Sequence, residues 1–356
     1  MGNGDTSLIR LSDGTTLIVD CHIKENGLYD VFSHLLEVLN YKNGIPYTDV
    51  FVLTHPHDDH VHGFQNTFYT GDPTKYSKND KEKSLILIDE LWFAPRIFND
   101  DGDEIPEDAK VFKREAERRI SLYKSGNEAC SLPGNRIHLI GATDNIDCSG
   151  LDEICTIPGQ SLNLKDDCRL FIFAPVKKDS DDDSIGPNNT SIVMQARFDV
   201  DGEEEAVRIF LGGDAESPVW QRIVNRNKDQ NLIWDLLLAP HHCSWTFFND
   251  SGDEPLDEIL HLLDQKRENA QVVVSSKPIK DNDDNPPSYK AKKQYLKAVG
   301  ENNLVCTGEK PSEDKPEPVY FIFSKTGPVP RKFSKSNQKA TIAAISNAVS
   351  TPRTYG

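Results

Sequence analysis

Apolar positions along this chain come mostly in short unbroken runs, not in long periodic stretches. Asp49-Val50-Phe51-Val52-Leu53, Val207-Arg208-Ile209-Phe210-Leu211 and Trp234-Asp235-Leu236-Leu237-Leu238-Ala239 are each rich in residues that suit extended backbone. Each stops at a cluster of glycine, proline or histidine, which predicts buried strands with functional ends. Further strands are expected over 85–93, 169–174, 191–198 and 271–275, with short ones near Leu304 and Tyr320, and a hairpin over 7–11 and 16–20 turns at Ser12-Asp13-Gly14-Thr15. Val31, Phe32, Leu35, Leu36 and Leu39 repeat at helical spacing inside 29–40. Other helices are expected near 217–227, 256–266 and 288–299. Residues 106–124 are charged and read as a solvent-facing helix within an insertion of about 95–158. Strands in both halves with helices between them predict an α+β architecture, two sheets face to face with helices outside: an αββα sandwich.

Composition narrows the class. The chain has 356 residues, 37% hydrophobic and 27% charged, enough for a large core with polar loops. No stretch approaches the roughly 18 apolar residues of a membrane span. Seven cysteines are scattered without paired spacing. With no charged-then-apolar leader, a cytoplasmic location and no membrane partner are expected. The net charge of −17 speaks against loose binding to phosphate backbones. The charge is uneven, however: Lys325, Arg331, Lys332, Lys335, Lys339 and Arg353 lie in a final segment with no acidic residue. The expected layout is one domain over 1–324 and a basic tail over 325–356. That tail is either an arm for nucleic acid or a partner protein, or a solubilising terminus.

The chemistry concentrates where three strands end. Thr54-His55-Pro56-His57-Asp58-Asp59-His60 follows the first, and neutral imidazole and carboxylate are ligands for Zn²⁺, Mn²⁺ and Fe²⁺. His55 and His57, two apart, can reach one ion; Asp59 and His60 can reach a second beside it. Asp214 follows Gly212-Gly213, where missing side chains allow a close approach, and it is suited to bridge two cations. Pro240-His241-His242-Cys243-Ser244 follows the third strand, and either histidine can ligate. Asp20, at a strand end, either braces a ligand from behind or caps a turn. Asp58 reads as a surface carboxylate or an orienter of a ligand histidine, and Cys243 as a bystander rather than a soft ligand.

These segments, in order, resemble the metallo-β-lactamase fold, and within it the hydrolase domain of ComEC-type competence proteins and their stand-alone relatives. Gly2-Asn3-Gly4-Asp5-Thr6 is similar to that family's opening turn. Thr16 to Asp20, Thr54 to Gly63, Asn188-Asn189-Thr190-Ser191-Ile192-Val193, Gly213-Asp214-Ala215-Glu216 and His241-His242-Cys243-Ser244 resemble its later segments. The resemblance implies two divalent ions, Zn²⁺ or Mn²⁺, held by His55, His57, Asp59, His60, Asp214 and His241 or His242. Asp59, Asp214, His241 and His242 would carry catalysis. The sequence also departs from the pattern. Asn188 and Asn189 stand where the wider superfamily has another ligand histidine, which implies a first site that is one protein ligand short, weaker or completed by water, with these two as supporting residues. His62 replaces a glycine and reads as rim. Asn285-Pro286-Pro287 replaces a Gly-His-Pro, which removes a histidine that could help a leaving group.

The resulting expectation is a metal-dependent phosphodiesterase or nuclease acting on DNA through a hydroxide shared by two ions. The alternatives are a small-molecule phosphodiesterase for a nucleotide or phosphocholine-like ester and, from another class, a catalytically weak binding module in a larger assembly.

Overall fold

The hairpin forms as the turn chemistry requires: β1 (Ser7–Arg10) pairs antiparallel with β2 (Thr16–Val19), and Asp13 Oδ1 accepts the Thr15 amide at 2.8 Å across the turn. The computed structural model describes residues 3–98, 105–141, 150–182 and 185–331. Beside β2 runs β4 (Ile45–Leu53), with β3 (Asn40–Lys42) folded back on its start. Then come β5 (Leu87–Phe93), β6 (Arg136–Ile140) and β7 (Cys155–Thr156), all parallel to β4. These strands make the first sheet.

The second sheet begins as a meander of β8 (Ser161–Lys165), β9 (Cys168–Ala174), β10 (Val193–Val200) and β11 (Glu203–Leu211). It continues in parallel through β12 (Trp234–Leu238), β13 (Lys266–Val274) and β14 (Leu304–Cys306).

Period-two alternation sorts the strand residues into three layers of core. Val50 and Val52 of β4, Leu17, Val19 and Trp92 meet Leu170, Ile172, Met194, Ile209 and Leu236 between the sheets. Phe51 and Leu53, one position out of step, pack outward with Phe64, Phe68 and Phe112. Leu237 likewise points away from the seam, into a core with Trp220, Ile259, Leu262 and Tyr295 from the helices Ser217–Arg226, Asp257–Asp264 and Tyr289–Val299. Strands covered on both faces read as continuous apolar runs, which is the pattern in the sequence. The architecture is the αββα sandwich.

Three features differ from expectation. Helix Glu107–Lys124 does not simply face solvent: it buries Ala109, Val111, Phe112 and Ala116. It also buries Glu115 with Arg119, whose Nε donates to Glu115 Oε1 at 2.7 Å and whose guanidinium reaches the carbonyls of Ile88 and Arg136. The segment expected to be a helical insertion also supplies β6 and β7 to the first sheet. After the small ladder β15 (Pro311–Ser312) with β16 (Lys315–Pro316), a hairpin of β17 (Tyr320–Ser324) and β18 (Gly327–Arg331) carries the folded part beyond 324. Phe321 and Phe323 of that hairpin pack on the middle core. The remainder of the basic tail, 332–356, lies outside the described residues. Among the described residues no helix is long and apolar enough to cross a membrane.

Candidate metal centre

Parallel pairing of β11 with β12 brings the C-terminal ends of both to one rim, and the Ile192 amide donates to the Thr54 carbonyl at 3.1 Å to bring the end of β4 to the same place. Gly212 and Gly213 are dictated by this crowding. A Cβ on Gly212 would stand 2.5 Å from the Trp220 ring, and one on Gly213, at φ +48°, 2.8 Å from Thr54 Oγ1. Asp214 is thereby set under the end of β4, 2% exposed. After β12 the backbone of His241, His242 and Cys243 is left-handed at φ of +50°, +50° and +70°. Such conformations cost about 1–3 kcal/mol each for residues with side chains and persist where the surroundings fix them, most often at functional sites. Here the His241 amide donates to the Gly213 carbonyl at 3.1 Å, and Asn285 Oδ1 accepts from Ser244 Oγ and the Trp245 amide. That is the place Asn285 fills in this chain.

Two groups of ligand atoms result, both sharing Asp214. His55, His57 and Asp214 form one; Asp59, His60, Asp214 and His242 form the other, with the ligand atoms in each within 4.8 Å of one another. In the first, His55 Nε2 lies 3.1 Å from His57 Nδ1 and 3.8 Å from Asp214 Oδ2. In the second, His60 Nε2 lies 2.9 Å from Asp214 Oδ1 and 3.2 Å from His242 Nε2, which stands 3.2 Å from Asp59 Oδ2 and 3.5 Å from Asp214 Oδ1. His241 Nε2 instead faces Asp214 Oδ2, at 3.7 Å.

Supporting hydrogen bonds decide which ring nitrogens carry protons. Asp20 Oδ2 takes His60 Nδ1–H at 2.8 Å and the Thr54 hydroxyl at 2.7 Å, and Asp20 Oδ1 accepts the Thr54 amide. With its own proton given to Asp20, Thr54 Oγ1 accepts from His55 Nδ1 at 3.2 Å. His242 Nδ1 donates to the Ser275 carbonyl at 3.0 Å. With Nδ1 engaged in this way, the Nε2 atoms of His55, His60 and His242 are turned toward one another and toward a carboxylate. Asp214 Oδ1 is buried without a hydrogen bond of acceptable geometry, although His60 Nε2 is only 2.9 Å away. Nitrogen and carboxylate oxygen atoms gathered this closely could share a cation, and ring N–H groups braced from behind by carboxylate or carbonyl are how metal-ligating histidines are held. The donor set fits a pair of divalent ions that accept imidazole and carboxylate.

Electrostatics tell the same story. Burial pulls the His60 and His242 imidazoles down, yet Asp214 and Asp20 push His60 well above its ordinary value. Asp5, Asp59 and Asp214 hold His242 at about 10. Burial would raise Asp214 and Asp59, but the imidazoles around them hold both carboxylates below the usual range. His55 and His57 are depressed, chiefly by burial. A site that draws protons onto buried imidazoles is short of positive charge.

The remaining candidates fall away from the ligand groups. Asp58 pairs with His62 at 3.1 Å on the surface. Cys243 Sγ points to the Ser288 carbonyl, and burial pushes its thiol far up. Asn189 Nδ2 donates to Glu216 Oε2 at 2.9 Å while its Oδ1 accepts the Glu216 amide, and the Asn188 side-chain oxygen is buried without a partner among the described residues. Sequence reasoning missed Asp5, which accepts from Ser275 Oγ and lies 3.5 Å from His242 Nδ1. Asp5 and Asp20 also form a third acidic group around His60, but its imidazole proton already bonds to Asp20, so they serve as braces. The signal for Asp5 was its place in the opening Gly-x-Gly-Asp turn.

The fold and centre thus define a chain with two His/Asp ligand groups sharing one carboxylate at the rim of an αββα sandwich. No family model matches the chain, and no curated protein matches it significantly. Solved structures to which it is similar include the metallo-β-lactamase fold protein YhfI from Bacillus subtilis, at 14% identity and TM-score 0.38, covering 85% of this chain and 88% of that one. Igni18, a metallo hydrolase from the hyperthermophilic archaeon Ignicoccus hospitalis, is 12% identical at TM-score 0.42, covering 94% and 98%. The isothiocyanate hydrolase from Delia radicum gut bacteria is 10% identical at TM-score 0.38, covering 85% and 94%.

Proposed function

We propose that this chain is a metal-dependent hydrolase of phosphodiesters, with DNA as the leading substrate. The reading is carried by one observation: two groups of ligand atoms, each with at least two imidazoles, meet on the two oxygens of a single buried carboxylate, Asp214. His55, His57 and Asp214 would hold one divalent ion, and Asp59, His60, His242 and Asp214 the other. Such a pair supplies a water acidified toward neutral pH and positive charge against the phosphoryl oxygens. The chain's own residues fix the geometry: Asp20 orients His60 directly and His55 through Thr54, while Ser275 and Asp5 orient His242. In the net reaction the water oxygen bonds to phosphorus as the ester P–O bond breaks, and the departing oxygen leaves with a proton.

A second reading, a nucleotide-sized phosphodiester, is favoured by the cavity beside Ser244–Trp245. It measures about 410 Å³ and is lined by Trp245, Tyr289, Lys290 and Lys293 together with Asp281, Asp283 and Asp284. Lys290 Nζ sits 3.8 Å above the Trp245 ring. Aromatic rings beside lysines suit a base and its phosphate, whereas three aspartates in the lining oppose a long polyanion.

Protein purified without chelator is expected to carry one to two transition-metal ions per chain by elemental analysis. With Mn²⁺ or Zn²⁺ it is expected to cleave single- or double-stranded DNA, or bis-nitrophenyl phosphate, ahead of amide substrates. Asp214→Asn should lower turnover at least 100-fold with the fold intact by circular dichroism. Absence of metal, or an active Asp214→Asn protein, overturns the reading; metal without turnover on the panel favours a binding module.

A further inference from the structure

We propose that His241 is the third imidazole of the first ligand group, replacing the histidine that the Asn188-Asn189 segment lacks. The inference rests on the metal-centre reading above and deepens it. The two oxygens of Asp214 divide the imidazoles between them. Oδ1 faces His60 at 2.9 Å and His242 at 3.5 Å; Oδ2 faces His55 at 3.8 Å and His241 at 3.7 Å. Ligand atoms sharing a tetrahedral ion at about 2.1 Å stand about 3.4 Å apart, and His55 and His241 each stand close to that distance from Oδ2, while His55 and His57 alone complete a tight group with Asp214.

The ring is prepared for that role. His241 Nδ1 lies 3.0 Å from Thr246 Oγ1 and 3.6 Å from Glu216 Oε1, so its proton belongs on Nδ1 and the Nε2 lone pair is left toward Asp214. Thr246 Oγ1 is fixed in turn by Ser244 Oγ at 2.9 Å. The successive left-handed residues splay the two histidines: the rings of His241 and His242 are 6.3 Å apart and 69° from coplanar. One is thereby aimed at each oxygen of Asp214, and the unfavourable backbone acquires a purpose.

This also accounts for Asn189. Its amide grips Glu216 through both the side chain and the backbone amide, and Glu216 stands behind His241. The segment expected to offer a ligand instead steadies the carboxylate that backs the substitute, so Asn189 and Glu216 are positioning residues.

The test is titration of chelator-stripped full-length protein with Co²⁺ alone, followed by calorimetry and by the visible absorption of the bound ion. The native chain is expected to bind two ions. His241→Ala should weaken one of them at least 10-fold and change its absorption bands while leaving the other as in the native protein. His242→Ala should weaken the other ion, and Asn189→Ala should weaken the same ion as His241→Ala by a smaller factor. His62→Ala, on the surface rim, should bind as native. If His241→Ala misfolds by circular dichroism, His241→Gln and Asn189→Ala decide the matter by the same readout. Two ions bound with native affinity and spectrum in the His241 variants would overturn the inference and leave the proposed function standing. A native chain that binds no ion would overturn both.

Discussion

Asp20 and Gly213 show how much of the centre depends on residues that touch no substrate. Asp20 sits at φ +59°, its amide tied to the Val52 carbonyl at 2.8 Å, and its two oxygens orient His60 and Thr54. Gly213 supports the same Thr54 from the other sheet. Gly213→Ala is expected to lose about 1–3 kcal/mol of stability in urea melts and to weaken metal retention, since its Cβ would press on Thr54 Oγ1 at 2.8 Å. Gly126→Ala is the control: its φ is +67° but nothing lies within 4 Å of the added Cβ, so only the backbone cost of about 1 kcal/mol is expected. At this scale the sequence was most informative where candidate ligands are neighbours in the chain. His55, His57, Asp59 and His60 announce themselves by spacing. Asp5, Ser275 and Glu216 do not, because folding alone brings them to the histidines they brace.

Elements were legible where one chemistry dominates a run. The apolar runs of β4, β11 and β12 gave themselves away because both faces are covered. Helix Glu107–Lys124 was misread as solvent-facing because its buried face includes Glu115 and Arg119, charges that satisfy each other out of sight. Strand β6 hid in the same way: Arg136-Ile-His138-Leu-Ile140 places a histidine between the sheets, 5.8 Å from the Trp92 ring and bonded through Nε2 to Thr156 Oγ1 at 2.8 Å. Burial lowers His138 to about 4. The unfolded chain therefore takes up a proton near pH 6.5 that the folded chain refuses until about 4. The stability from His138 is full above pH 6.5 and is lost as pH falls through that window, by roughly 3 kcal/mol at the bottom. Urea melts at pH 7 and pH 5 should show a smaller acid loss in His138→Gln than in the native protein; equal losses would remove His138 as the cause.

For the whole molecule, the seam between the sheets is apolar in the middle and acidic at one rim. His55, His57, Asp59 and His60 come from the first sheet's side, Asp214, His241 and His242 from the second. Any ion bound there joins the two halves, so removing it should loosen the molecule as well as silence it. Melting in chelator at neutral pH is expected at a lower temperature than with added metal. The loss is about 2.7 kcal/mol for each ion present at 100 times its dissociation constant. An unchanged melting temperature would mean that the rim carboxylates and imidazoles balance each other without metal. The sequence conveyed the two-sheet plan because strands fill both halves. It conveyed a strand near Tyr320, but not its pairing with β18, nor that Phe321 and Phe323 pack on a core built elsewhere.

The His60 and His242 rings nearly touch, at 3.2 Å, yet they are 182 positions apart. A polypeptide made from its N-terminus therefore carries His60 through 182 further positions before His242 exists to face it. If the chain is the hydrolase proposed above, its centre is assembled only once the second layer has been made and has closed over the first.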